Sequence, residues 1–156
     1  NAGKRVLVCA TSLTLRENKL ESLLASLGCP ERVTRLALDS LVTFAEAFDF
    51  DSPDVRAYLA RKFAKTDWSQ YESLVLGCTH FLYYRSLIRE AAGPDVALLD
   101  GNAGTVNRLA SLLGLTPGET AGAPPAPPRI AFFTSGGERE TPERERRLRA
   151  LLDTLP

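Results

Sequence analysis

Leu74-Val75-Leu76-Gly77-Cys78-Thr79-His80 is the stretch on which the fold turns. A short apolar run ends at a glycine, and a thiol, a hydroxyl and an imidazole follow at once. A strand buried on both faces of a parallel sheet reads this way, and so does its turn into the next helix. Side chains at the carboxyl end of such a strand line the crevice where open α/β sheets bind ligands. The backbone N–H groups at the start of the following helix favour an anion, either a thiolate or a substrate carboxylate. His80 is the only histidine of the chain. An imidazole two residues from a thiol can relay its proton, which makes Cys78 and His80 a candidate acid/base pair. The competing reading is a plain core cysteine, since free cysteine is among the most buried residue types.

Outward from this stretch, strand and helix patterns alternate. Arg5 to Ala10 (RVLVCA) reads as a strand. Thr14 and Glu17 form a capping box before an apolar stripe of Leu20, Leu23, Leu24 and Leu27, which should stop at Gly28-Cys29-Pro30. Arg32 to Leu38 predicts a second strand and Leu41 to Ala47 a short helix. Ser52-Pro53 opens another helix with Val55, Tyr58, Leu59 and Phe63 on its buried face. After the Ser73–Gly77 strand, a helix is expected from about His80 to Ala92, closed by Gly93-Pro94. Val96 to Leu99 and Ala103 to Leu113 supply one more strand and helix. The alternation implies parallel βαβ units, in a sheet of about five strands flanked by helices.

Residues 116–128 break the pattern. Prolines recur there and large apolar groups are few, so the segment reads as a surface linker. Beyond it, Ile130 to Thr134 returns to strand character. Thr141-Pro142 then opens a helix with Leu148, Leu151, Leu152 and Leu155 on one face. The expected organisation is a lobe over residues 1–94, a strand and helix over 95–115, the linker over 116–128, and a terminal strand–helix unit over 129–156.

The chain has 156 residues, enough for one domain with a real core, with 44% hydrophobic and 24% charged residues. Formal net charge is zero, so no global field recruits nucleic acid or an anionic membrane. No apolar run reaches the ~20 residues of a membrane span, and the first, Val6 to Ala10, is too short for a signal peptide. Three cysteines, an odd number, argue against a secreted disulfide framework and fit a reducing cytoplasm. The absence of methionine agrees with a chain cut from something longer. No metal site is expected, because Cys9, Cys29, Cys78 and His80 lack ligand spacing. Asp100-Gly101-Asn102-Ala103-Gly104-Thr105 lacks the lysine of a phosphate loop and reads as a strand-to-helix turn capped by Asn102. Cys9 ends the first strand, where a core role is expected.

LVLGCTHF resembles the LGCTHYP signature of the glutamate racemases, members of the cofactor-independent aspartate/glutamate racemase superfamily. VCATSLTLRENKL, FDFDSPDV, GPDVALLDGNAGTVNRL and RIAFFTSGG are similar to further segments of that family. The resemblance covers nearly the whole chain and corresponds to the later part of the family. It implies a flavodoxin-like racemase lobe, glutamate as substrate, no cofactor, and a place in peptidoglycan synthesis. It also implies a mechanism in which two cysteines act on opposite faces of the α-carbon, one removing a proton and the other returning one. By resemblance Cys78 is the second of the two, His80 assists it, and Thr79 helps hold the substrate.

Three departures stand out. The family's DSGxGG turn and its CNTA motif, with the other cysteine, are absent. The glutamate of its LVE run aligns with Thr43, so that Glu46 or Asp39 could substitute only if the local backbone differs. The proline after the signature is Leu82. The isolated chain is therefore expected to be inactive, completed by a missing N-terminal half or by a second copy, and to carry an apolar surface near Val96–Leu113 and Ile130–Thr134. A non-catalytic amino-acid-binding or interaction domain of the same fold, and an aspartate racemase-like isomerase, are the alternatives.

Overall fold

The computed structural model describes residues 4–28, 30–115, 130–133, 135–137 and 139–152. Four parallel strands form one sheet: β1 (Arg5–Ala10), β2 (Val33–Ala37), β3 (Tyr71–Leu76) and β4 (Ala97–Leu99), in the order β2-β1-β3-β4. The chain leaves β1 for one side, at β2, and then crosses back to the other side, at β3. The strand order thus reverses between β1 and β3. Loops leaving neighbouring strand tips diverge at such a reversal and open a crevice at the carboxyl edge. In register, Cys9 lies opposite Leu76 on β3.

The central strands are the apolar ones. Leu7, Cys9, Leu74 and Leu76 are buried, together with the helix residues Leu41, Val55, Tyr58, Leu59, Phe63 and Ile88. Each large aliphatic or aromatic group buried here contributes about 1.5–3 kcal/mol of transfer free energy. The helices are α1 (Ser12–Arg16), α2 (Asn18–Ser26), α3 (Ser40–Glu46), α4 (Pro53–Phe63), α5 (Arg85–Ala92) and α6 (Asn102–Leu112). For α4 the sequence expectation holds in detail. The Ser52 hydroxyl accepts from the Val55 N–H, Pro53 is the first helical residue, and the four buried residues are those of the expected stripe.

Elsewhere the structure corrects the sequence reading. The first helix starts earlier, because Thr11, still extended as it leaves β1, caps it by accepting from the Thr14 N–H. Glu17 is itself extended (φ −67°, ψ 134°), which splits the expected helix into α1 and α2. Of its leucine stripe only Leu24 is buried. The helix after Cys78 begins as a 3₁₀ segment, Thr79–Tyr84, before becoming α5. The reason is packing: Phe81 and Tyr84 are both fully buried, and three residues per turn puts them on one face. At α6 the cap is Gly101 and the side chain that accepts is Asp100, from the Asn102 N–H; Asn102 does not cap.

The end of α3 is unusual. Phe48 donates its N–H to the Ala45 carbonyl and Asp49 donates to the Phe44 carbonyl, each at 2.9 Å, the paired bonds of a Schellman motif. Its left-handed position is held by Phe48, with φ +58°, at a cost of about 1–2 kcal/mol for a residue bearing a Cβ. The Tyr84 hydroxyl secures the same turn, shared between the Leu41 carbonyl at 3.1 Å and the Asp49 carbonyl at 3.0 Å.

The chain divides into two compact units, Asn1–Pro117 and Gly118–Pro156. In the second, α7 (Pro142–Leu152) follows a single antiparallel bridge between Phe133 and Arg139. The strand expected over Ile130 to Thr134 is thus reduced to one bridged residue among those described, since a turn at Ser135 and Gly136 returns the chain at once and pairs it only with itself. Cys29, Thr134, Leu155 and the linker over 116–128 lie outside the described residues.

Candidate functional site

The site grows from the tip of β3. Gly77 donates its N–H to the Cys9 carbonyl at 2.8 Å, which carries the pairing of β3 with β1 one step beyond the strand. A Cβ at Gly77 would lie 3.1 Å from that carbonyl oxygen and 3.2 Å from the Ala10 Cβ. The position is therefore glycine because two backbones approach closely. Cys78 follows with an extended backbone and precedes the 3₁₀ segment. It is half-buried at the edge of the crevice, whereas Thr79 is exposed.

Cys78 and His80 meet, as expected. The Cys78 Sγ lies 3.7 Å from His80 Nδ1. The opposite ring nitrogen, Nε2, lies 3.1 Å from Glu46 Oε1. A carboxylate only accepts, so Nε2 carries a proton and donates it to Glu46. In the neutral ring Nδ1 is then an acceptor facing the thiol. The result is a chain of three groups, thiol to imidazole to carboxylate, running from β3 to the last turn of α3. It can draw a proton from the sulfur and return it.

Thr43 is exposed and Glu46 stands three residues later on α3, one helical turn along. Asp39 does not reach the pair. Its carboxylate accepts from the Ser12 N–H at 2.8 Å and the Ser12 hydroxyl at 2.6 Å. These hydrogen bonds, the hydroxyl's first, hold its pKa below the usual carboxylate value. The 3₁₀ start of the segment after Cys78 alters the expected anion-favouring helix terminus: the Phe81 N–H already bonds the Cys78 carbonyl at 3.0 Å.

Beside Cys78 opens a cavity of about 350 Å³, lined by Gly77, Cys78, Thr79 and Leu82 on one side and by Asp100, Gly101, Asn102 and Thr105 on the other. The second wall is fixed by Arg85, which bonds Asp100 Oδ2 at 2.6 Å and the Leu98 carbonyl at 3.2 Å. The turn at Asp100 is thus a cavity wall, a role that its sequence does not reveal. Cys9 is fully buried at the end of β1. Burial pushes its pKa up to about 12, which keeps it a neutral thiol of the core. Among the described residues no group of three or more histidine, cysteine, aspartate or glutamate side chains could hold a metal ion. No helix of the described residues is long and apolar enough to cross a membrane.

A parallel sheet of order β2-β1-β3-β4 with a thiol, an imidazole and a carboxylate in line at its reversal point defines the class: an α/β protein with these three groups at the edge of a crevice. In sequence the chain is similar to the C-terminal half of the glutamate racemases, and its fold matches that of solved members. It is 41% identical over 134 residues to a glutamate racemase of Campylobacter concisus, covering 86% of this chain and 50% of that one. To a glutamate racemase of Halothermothrix orenii it is 39% identical over 153 residues, covering 98% of this chain and 58% of that one. The fold is similar to that of Escherichia coli glutamate racemase, solved in complex with L-glutamate and the activator UDP-MurNAc-Ala. That match has a TM-score of 0.68 and 24% identity, over 95% of this chain and 54% of that one. The chain therefore spans about half the length of the curated relatives it matches. No family model matches it.

Proposed function

We propose that this chain supplies one side of a glutamate racemase site, acting on the α-carbon of glutamate without a cofactor. Cys78 is the acid/base group on that side. As a thiolate it removes the α-proton, and as a thiol it returns one. His80 takes the thiol proton at Nδ1 while Glu46 holds the ring through Nε2. Thr79, exposed at the mouth of the crevice, contacts the substrate carboxylate. The observation that carries this reading is the chain from Cys78 Sγ through His80 to Glu46, at 3.7 and 3.1 Å, beside a cavity.

Inversion requires an acid and a base on opposite faces of the carbon. Cys9 is locked in the core, so the second thiol must come from outside the described residues. The missing half-site belongs to the remaining length of the relatives, supplied in the same chain or by a partner. Alone, the chain exchanges no α-proton productively. A complete enzyme would provide D-glutamate for peptidoglycan in the bacterial cytoplasm. A non-catalytic binding domain is supported by Thr43 and Leu82; Glu46, one turn from Thr43 and 3.1 Å from His80, favours the catalytic reading.

Alkylation of the native protein by iodoacetamide, with the modified peptides mapped by mass spectrometry, tests the assignment. Cys78 is expected to react and Cys9 to remain unmodified. His80→Asn should slow the Cys78 reaction by about threefold to tenfold, the effect of losing one hydrogen bond. A His80→Asn protein that is folded and alkylates at the parent rate would overturn the pair.

A further inference from the structure

We propose that Phe48 is a positioning residue for the Cys78–His80–Glu46 chain: its ring locks the end of α3 against the segment that carries His80. The inference rests on the acid/base reading of those three residues.

The first observation is backbone cost. Gly28, Gly93 and Gly114 take the positive φ that follows α2, α5 and α6. After α3 the same role falls to Phe48, the one non-glycine residue with positive φ among those described. Glycine would hold this turn with less strain. A side chain kept in such a place has a task that glycine cannot perform.

The second observation is where the ring leads. Phe48 meets Phe50 edge-on, with centroids 6.4 Å apart and planes at 75°. Phe50 in turn lies 4.9 Å from the Tyr83 ring. Tyr83 is three residues beyond His80 in the 3₁₀ segment, and at three residues per turn the two share a face. An aromatic line therefore runs from the end of α3 to the segment holding His80. The bond from Glu46 to His80 joins the same two elements.

The third observation is the position of Glu46. It is the last residue of α3, where helix ends fray. Its carboxylate can stay on His80 only while that last turn is closed. The left-handed residue two positions later closes it, and the ring contacts hold that residue.

The test is a double-mutant cycle on the rate of Cys78 alkylation at neutral pH, with Phe48→Gly, Glu46→Gln and both together. Phe48→Gly should slow alkylation by about threefold to tenfold, as Glu46→Gln does. The two losses should not add, and Phe48→Tyr should keep the parent rate. A merely structural role for Phe48 would shift the melting temperature without this coupling. If the glycine variant does not fold, Phe48→Asn, which tolerates the left-handed backbone, takes its place. A folded Phe48→Gly or Phe48→Asn at the parent rate overturns the inference, and so does full additivity with Glu46→Gln. An unchanged rate in Glu46→Gln itself would overturn the three-residue chain first, and this inference with it.

Discussion

Two cysteines at neighbouring strand tips have opposite fates. Cys9 is still inside β1, whereas Cys78 lies two residues past the end of β3, carried out by Gly77. For Cys9, burial raises the folded thiol pKa from the ordinary 9.0 to about 12. Folding therefore favours the protonated form. Its stabilisation is fully present below pH 9 and declines as pH rises towards 12, by about 1.4 kcal/mol per pH unit. Denaturant unfolding between pH 8 and 11 should show that decline, and Cys9→Ala should flatten it at the expense of a small cavity. An equally steep decline in Cys9→Ala would mean that other groups dominate. In the sequence, His80 next to Cys78 was legible because two residues in a turn must lie close. Glu46 was legible only as one of two candidates beside Asp39, since its contact with His80 joins residues far apart in the chain through the packing of α3.

At the scale of elements, the four strands of the sheet and α4 could be read because apolar runs and a Ser-Pro start leave few alternatives. The 3₁₀ segment could not, because nothing local distinguishes three residues per turn from 3.6 until Phe81 and Tyr84 are buried together. The split between α1 and α2 was hidden as well, because nothing local to Glu17 marks its extended backbone. Gly77→Ala tests the element that presents the site. The added methyl would press on backbone at 3.1 Å, which cannot swing away as a flexible side chain would. A loss of about 1–3 kcal/mol is expected, with altered Cys78 alkylation, because β3 must part from β1 to admit it. Unchanged melting and unchanged alkylation would show that the tips have more freedom than the Gly77–Cys9 bond implies.

For the molecule as a whole, α6 presents an uncovered apolar face. It buries none of its residues, and Val106, Leu109 and Leu112, three apart on one face, are exposed by 63%, 55% and 65%. Leu99 at the end of the edge strand β4 is exposed as well. Apolar faces of this kind mark surfaces built to be covered. The relatives extend well beyond the length matched here; on the proposed function, that further length would cover this face. In its absence self-association is expected, and Val106→Glu with Leu109→Lys should reduce the sedimentation coefficient to that of a monomer without changing the melting temperature. A strictly monomeric parent protein would count against that role for α6.

The central claim is that Cys78 works one face of the glutamate α-carbon and needs a second half to work the other. It is tested most directly by following deuterium from solvent into the α-position of L-glutamate. The chain is assayed alone and after mixing with the N-terminal half of the Halothermothrix orenii relative. The account predicts no sustained interconversion by the chain alone. It predicts α-deuterated D-glutamate in the mixture, lost again in Cys78→Ser. Sustained racemisation by the lone chain that Cys9→Ala abolishes, or a stably associated mixture that exchanges no deuterium, would contradict it.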